Sequence, residues 1–171
     1  MDTLISINRS RTFGLAKFCV FVAITLIATV IPKYLLAQQS PSSFSMTSVV
    51  IETRTDAQRL TMELAEDAGQ HALGLMGRQS LASDSGMLFV YARPRRVSMW
   101  MKDTLIPLDM LFVRLDGIIE SIVERTTPLS LTTIRSEKMV RAVIELNAGT
   151  AKRLGIEVGN RVIHDAFNIA K

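Results

Sequence analysis

The stretch MLFVRLDGIIESIV, residues 110–123, decides the fold class. It places Asp116 and Gly117 between two apolar runs, and an Asp-Gly pair in this position is a strong signal for a β-hairpin. Further β-favouring runs lie on both sides of it, at residues 87–91 (MLFVY) and 140–146 (VRAVIEL). In residues 59–64 (RLTMEL), apolar and polar side chains alternate, as they do in a half-buried strand.

Helical signals are few and short. Asp67 followed by Gln70 resembles a capping pair before residues 68–76, and Gly155 is suited to end a helical segment at residues 150–154. Six to eight short strands with two short helices predict a mainly β fold. We therefore expect one compact antiparallel β sandwich or distorted barrel over residues 49–163, followed by a C-terminal tail at 164–171.

The N-terminal region has the order of a targeting segment. Residues 1–17 are polar and basic, residues 18–31 (FCVFVAITLIATVI) are apolar, and residues 32–39 interrupt that run. We expect residues 1–37 to be a signal peptide or, if uncleaved, a membrane anchor through residues 18–37. Residues 38–48 are rich in Ser, Gln and Pro and read as a flexible linker. This organisation predicts export to the periplasm or to the outer face of the inner membrane.

Charge and cysteine content limit the function classes. The chain has a net charge of +4, but four basic residues and one acid lie in residues 1–37, which leaves +1 for residues 38–171. A near-neutral domain lacks the basic excess that binding to phosphate backbones requires, so nucleic acid is not an expected partner. The single cysteine, Cys19, lies in the N-terminal apolar run, so the domain has neither a thiol nucleophile nor a disulfide.

Four stretches carry a family resemblance. They are Gly74-Leu-Met-Gly-Arg78 with Leu81, Gly86-Met-Leu-Phe-Val90, Met99-Trp-Met-Lys-Asp-Thr-Leu-Ile-Pro-Leu-Asp109 with Phe112, and Glu145-Leu-Asn-Ala-Gly149 running to Gly159. Their order and spacing resemble the prokaryotic family called domain of unknown function 192. The resemblance implies a compact, mostly β fold, often behind an export signal, and it implies no activity. In that family Asn usually stands at the position of Asp103, and Pro at that of Asn147.

The charged residues of these stretches are candidates for a site. Asp109 and Glu145 each lie within an apolar run, and a carboxylate is costly to bury without a partner. We expect Lys102 or Arg78 to be that partner, in a buried ion pair that holds the loop of residues 102–108 against the sheet. The alternative is a polar pocket with perturbed carboxylates, to which Asp103 would add a further acid.

Trp100 is the single tryptophan of the chain. An exposed indole beside polar neighbours can serve as a stacking platform for sugars or other planar ligands. The alternative, which we expect here, is an indole that closes one end of the core.

The motifs point to binding rather than to catalysis. The sequence has no Gly-rich phosphate loop, nucleophile elbow or His-Glu metal helix, and we assign no catalytic residue, metal ligand or cofactor. We predict a non-catalytic binding or accessory domain of the cell envelope, whose partner is a small molecule or an envelope protein. One alternative is a small hydrolase that uses Asp109 and Glu145 as its acid and base. The other is a copper-handling protein, since thioethers and imidazole suit Cu(I) and His71 precedes Met76 by five residues.

Overall fold

A computed structural model describes residues 44–167 of the chain. The predicted signal or anchor segment, most of the predicted linker and residues 168–171 lie outside these described residues. The elements within them, in chain order, are β1 (Ser45–Glu52), β2 (Ala57–Ala65), α1 (Ala68–Leu73), β3 (Ser85–Arg95), β4 (Ser98–Met99), β5 (Leu108–Val113), β6 (Ile119–Val123), β7 (Ile134–Arg135), β8 (Val140–Asn147), α2 (Thr150–Leu154), β9 (Arg161–Ile163) and a 3-10 helix (Asp165–Phe167). The predicted mainly β fold with two short helices is confirmed.

Seven strands form one curled sheet in the order β6-β5-β8-β3-β2-β1-β9. Neighbouring strands are antiparallel except β2 and β3, which run parallel and are connected through α1. A backbone bridge between Ile118 and Arg161 connects the β5–β6 turn to β9 at the other end of the sheet. The backbone N–H of Ile119 also donates to the carbonyl of Asn160 at 2.9 Å. The sheet is therefore a nearly closed barrel, and of the two predicted architectures the distorted barrel describes it.

Local signals in the sequence are confirmed where their partners are close in the chain. The turn at Gly117, whose φ is +77°, joins the antiparallel strands β5 and β6. The Asp67 side chain accepts from the backbone of Gln70, and the Gln70 side chain accepts in return from the backbone of Asp67. Gly155 ends α2 in the left-handed conformation. Helix α1 is shorter than predicted because Gly74, with a φ of +48°, ends it.

Both faces of the central strands are buried. The inner core fills the barrel and includes residues from every strand of the seven-stranded sheet, from α2 and from the 3-10 helix. It consists of Val49, Ile51, Leu60, Met62, Leu88, Val90, Leu111, Val113, Ile119, Ala142, Ile144, Leu146, Ala151, Ile156, Val162 and Phe167. The outer core lies on the opposite face of β3, β5 and β8. It is covered by the chain that follows α1 and by the small sheet of β4 and β7. It consists of Ala65, Leu75, Met87, Phe89, Val97, Met101, Leu108, Met110, Phe112, Val140 and Val143. Burial on both faces explains why these three strands have nearly uninterrupted apolar sequences.

The folded unit extends beyond residues 49–163 at both ends. Strand β1 begins at Ser45, inside the predicted linker, where Ser45 pairs with Leu64 of β2. Phe44 packs against the outer core. In the predicted tail, Phe167 of the 3-10 helix is 8% exposed and belongs to the inner core. Aromatic side chains at both boundaries thus extend the packed domain.

Among residues 44–167, no helix has the length and apolar character needed to cross a membrane.

Candidate functional site

Asp109 is fully buried in β5, on the face that points to the inner core. Its carboxylate accepts the backbone N–H of Ala151, at the start of α2, and that of Arg125, just after β6, both at 2.9 Å. Charged acceptors form strong hydrogen bonds with backbone donors, and a carboxylate at a helix N-terminus is favourable. The predicted ion pair of Asp109 with Lys102 or Arg78 is wrong, because backbone donors stabilise this carboxylate.

The two expected cations pair with other acids. Lys102 Nζ lies 2.5 Å from Asp103 Oδ2, and Arg78 Nη2 lies 2.5 Å from Glu63 Oε2. Both pairs are partly solvated, since the Lys102 and Arg78 side chains are 44% and 41% exposed. Long basic side chains keep their head groups hydrated in this way, which explains why neither cation is buried beside Asp109.

Glu145 lies in β8 on the outer-core face, between Met87 of β3 and Met110 of β5, and is 4% exposed. Among residues 44–167, no hydrogen bond or ion pair is formed with its carboxylate. No fully enclosed side-chain oxygen in this range lacks a hydrogen-bond partner, so the Glu145 oxygens keep some access to the space beside them. Burial in this apolar setting raises the pKa of the Glu145 carboxyl to about 8. At neutral pH this acid is therefore largely protonated.

A small cavity adjoins Glu145. Its volume is about 30 Å³, which is room for one or two water-sized groups. The lining consists of residues 71–76, Phe89, Met99, Trp100, Thr104 and Glu145. Each of the four stretches that carry the family resemblance contributes to this lining, although they are far apart in the sequence. The fold thus brings them together around one cavity.

Trp100 lies at the rim of the cavity and is 50% exposed. The expectation that its indole closes the core is therefore wrong. The neighbouring Met101 is 1% exposed and enters the outer core, so the alternation of side chains along an extended chain places the indole on the solvent side. This position matches the alternative of an exposed stacking surface.

Two further polar residues belong to the lining: His71, which the sequence indicated only within the copper alternative, and Thr104, which was not predicted. His71 of α1 has its Nε2 atom 3.0 Å from the carbonyl oxygen of Ala65, and its ring centroid is 4.9 Å from that of Tyr91. Thr104 is 5% exposed and its hydroxyl donates to the carbonyl of Lys102 at 3.3 Å. Thr104 lies within the motif that runs from Trp100 to Asp109, and this position could have identified it as a residue of the cavity lining.

The predicted site residues divide into two groups. Trp100 and Glu145 both line the cavity. The other predicted residues are absent from its lining: Arg78, Lys102, Asp103 and Asp109. The backbone carbonyl of Asp103 accepts the N–H of Gly77 at 2.8 Å. Asp109 and Glu145 lie on opposite faces of the sheet. They cannot flank one scissile bond, so the structure does not support the hydrolase pair. Within residues 44–167, no cluster of three or more His, Cys, Asp and Glu side chains is arranged to hold a metal ion.

Comparison with known proteins gives the family. The family model of domain of unknown function 192, described as "Uncharacterized ACR", matches residues 49–164. A crystal structure from Sinorhizobium meliloti 1021, of a protein provisionally described as a transcription regulator, is 44% identical with a TM-score of 0.72, over 74% of this chain and 99% of that one. A protein of unknown function from Novosphingobium aromaticivorans DSM 12444 is 31% identical with a TM-score of 0.70, over 74% and 94% of the two chains. No protein of curated function matches significantly. The chain therefore belongs to the family of domain of unknown function 192.

Proposed function

We propose that this protein is a non-catalytic ligand-binding domain of the cell envelope and that it binds its ligand at the cavity between Trp100 and Glu145. The observation that carries the proposal is the largely buried Glu145 carboxyl group, which has no hydrogen-bond partner among residues 44–167 and faces a cavity with an exposed indole at its rim. Buried polar groups are nearly always hydrogen-bonded, and exceptions concentrate at functional sites. A ligand group would supply the missing partner.

The dimensions of the site define how a ligand would bind. The cavity of about 30 Å³ admits one small polar group, so most of the ligand would lie outside it, against the indole of Trp100. Aromatic surfaces of this kind suit flat or weakly polar ligand faces. With Asp109 on the other face of the sheet, the cavity has one carboxyl group, whereas acid/base hydrolysis of a glycoside commonly uses two. Binding is therefore the better-supported function.

Trp100 makes the proposal directly testable, because all tryptophan fluorescence of the protein comes from this residue. We expect one class of compound, in a panel of sugars, nucleotides and amines, to shift the fluorescence of the full-length protein and to raise its unfolding temperature. The shift in unfolding temperature should be lost in Trp100→Ala and in Glu145→Gln. It should persist in Glu52→Gln, the matched control at an exposed acid of β1. Ligands that stabilise all four proteins equally would place the site elsewhere.

Export is the second part of the proposal, and the basic, apolar and polar order of residues 1–39 supports it. A fusion of residues 1–46 to a reporter that is active only outside the cytoplasm should give activity. Replacing Leu26 and Ile27 by Arg should abolish it, because two charges in the centre of the apolar segment oppose membrane insertion. Undiminished activity of the double variant would contradict export through this segment.

Copper(I) is a second candidate ligand because His71, Met76 and Met99 line the same cavity. Imidazole and thioethers suit this soft ion. When Nε2 of His71 donates to the carbonyl of Ala65, Nδ1 is the ring nitrogen with a lone pair for a metal, and it has no hydrogen bond to residues 44–167. Titration with Cu(I) should raise the unfolding temperature of the wild type and of Met139→Leu, an exposed control. The absence of this shift, or its persistence in Met76→Leu with Met99→Leu, would remove copper from consideration.

A further inference from the structure

We infer that the cavity binds the protonated amino group of a small organic amine, whose remaining part lies against Trp100. This inference rests on the proposed function and names the ligand class for the same site.

The charges around the cavity favour a cation. Glu145 and His71 are the titratable groups of the lining, and the lining has no Lys or Arg. The nearby basic side chains, Lys102 and Arg78, are paired with Asp103 and Glu63. An anionic ligand would meet the Glu145 carboxyl without a compensating cation. A positive group would give this acid a partner of opposite charge.

The size and hydrogen-bonding groups of the cavity favour an ammonium group. An ammonium is about the size of a water molecule and fits into about 30 Å³, whereas a planar guanidinium is larger. An ammonium has three donors and no acceptor. The Glu145 carboxylate is unpartnered among the described residues, and the buried hydroxyl of Thr104 keeps acceptor capacity while it donates to the carbonyl of Lys102. Both residues line the cavity and can receive such donors.

Aromatic side chains complete the site. Phe89 and Trp100 line the same cavity, the first 2% exposed and the second 50% exposed. A cation close to an aromatic face is attracted by the negative potential of the ring, most strongly for Trp. A neutral hydroxyl group could bond to Glu145 but would lack this attraction. The combination of one acid with aromatic rings therefore selects an amine over an alcohol.

Binding of an amine should release a proton from Glu145. Burial raises the pKa of this carboxyl to about 8, so the free site is largely protonated at pH 7, and an entering cation favours the ionised form. The affinity should therefore rise as the pH rises from 6 to 8. It should fall again only when the amine itself loses its proton, near pH 10 for an ordinary alkylamine.

The other charged groups near Glu145 limit alternative causes of this pH dependence. Tyr91 of β3, beside the cationic Arg95, stays neutral because burial and Glu145 raise its pKa to about 12. On β2, Glu63 lies on the same face of the sheet and is paired with Arg78; on β5, the facing residue Met110 has no charge. His71 of α1 remains as the other ionisable side chain of the lining. The variant His71→Asn is therefore the required control.

The test compares three probes that share a phenyl ring: benzylammonium, its neutral isostere benzyl alcohol, and the anion benzoate. Isothermal titration of the full-length protein at pH 8 should show benzylammonium binding about tenfold or more tightly than either of the others. Its affinity should increase at least about tenfold from pH 6 to pH 8, in the wild type and in His71→Asn, because one carboxyl proton is released. Titration in buffers of different ionisation enthalpy should show that proton release directly.

Variants separate the inference from the proposed function. Glu145→Gln should remove the preference for benzylammonium and its pH dependence, whereas Glu52→Gln should bind as the wild type does. Equal affinity for benzylammonium and benzyl alcohol, an affinity independent of pH, or no binding of benzylammonium would overturn the inference. If neutral compounds then bind and lose affinity in Trp100→Ala and Glu145→Gln, the binding function stands and the ligand class is wrong.

Discussion

Asp109 and Glu145 are two buried carboxyl groups on adjacent strands of one sheet, 0% and 4% exposed. Asp109 points towards the inner core and accepts two backbone N–H groups. Glu145 points towards the outer core and has no partner among the described residues. Their similar burial and different partners show that burial of a charge does not by itself identify a functional site. A buried acid that accepts hydrogen bonds from the protein is structural, whereas a buried acid that lacks such donors is a candidate for ligand binding.

The largest expected loss of stability is that of Asp109→Ala. This change leaves the buried N–H of Ala151 and the N–H of Arg125 without their acceptor. Buried donors without partners cost about 1–3 kcal/mol each, so we expect the free energy of unfolding to fall by about 3 kcal/mol. Urea unfolding of the wild type and the variant, with equal slopes, measures the difference.

Asp84→Ala, at an exposed acid before β3, is the matched control and should change the stability by less than about 0.5 kcal/mol. A similarly small change in Asp109→Ala would end the distinction between the two carboxyl groups.

An effect of the opposite sign, a gain in stability that grows with pH, is expected for Glu145→Gln. The pKa of Glu145 rises from 4.5 to about 8 on burial, so between these values the folded state retains a proton that the unfolded state releases. The contribution of Glu145 to stability is therefore lost as the pH rises through this window, by up to about 1.4 kcal/mol per pH unit. Glutamine does not ionise in this range, so the stability of the variant relative to the wild type should increase from pH 5 to pH 8.

Urea midpoints at several pH values measure this gain, and Glu52→Gln provides the exposed comparison. Parallel stability curves for the wild type and Glu145→Gln would show that the carboxyl group is ionised in the folded protein, which would make the contrast with Asp109 smaller.

The smallest expected effect is the coupling between Asp109 and Lys102. Lys102 pairs with Asp103, and their side chains are 44% and 63% exposed, so Lys102→Ala should cost less than about 1 kcal/mol. In a double-mutant cycle with Asp109→Ala, the two changes should add to within about 0.5 kcal/mol. A larger coupling energy would support the ion pair between Asp109 and Lys102 that the sequence suggested.

These residues also show which features a sequence can predict. The capping pair of Asp67 and Gln70 and the turn at Gly117 involve partners a few positions apart, so residue identity is sufficient. The donors to Asp109 are backbone groups 16 and 42 positions away. Every residue except proline has such a donor, so the residue types give no indication of this pairing. The sequence showed only side chains of opposite charge, and these suggested Lys102 or Arg78 as the partner of Asp109, which is wrong.

The cavity was predictable only in part. The apolar run around Glu145 correctly indicated a buried carboxyl group. The motif containing Trp100 was correctly chosen as a candidate, since Trp100 lines the same cavity as Glu145. The parallel pairing of β2 with β3 through α1 was not predicted, although it positions His71 and residues 72–76 over the outer core. Long-range strand order depends on packing across the whole domain, which short sequence patterns do not encode.

The closure of the barrel by β9 affects how the domain folds. Strand β9 pairs with β1, and Thr47 Oγ1 lies 2.9 Å from His164 Nε2 across a separation of 117 residues. Contacts this distant in the chain require closure of a long loop before they stabilise the fold, which slows folding. Until β9 is in place, β1 presents an unpaired edge that a second unfolded copy can join. Protein concentration during refolding should therefore set the balance between closed barrels and aggregates.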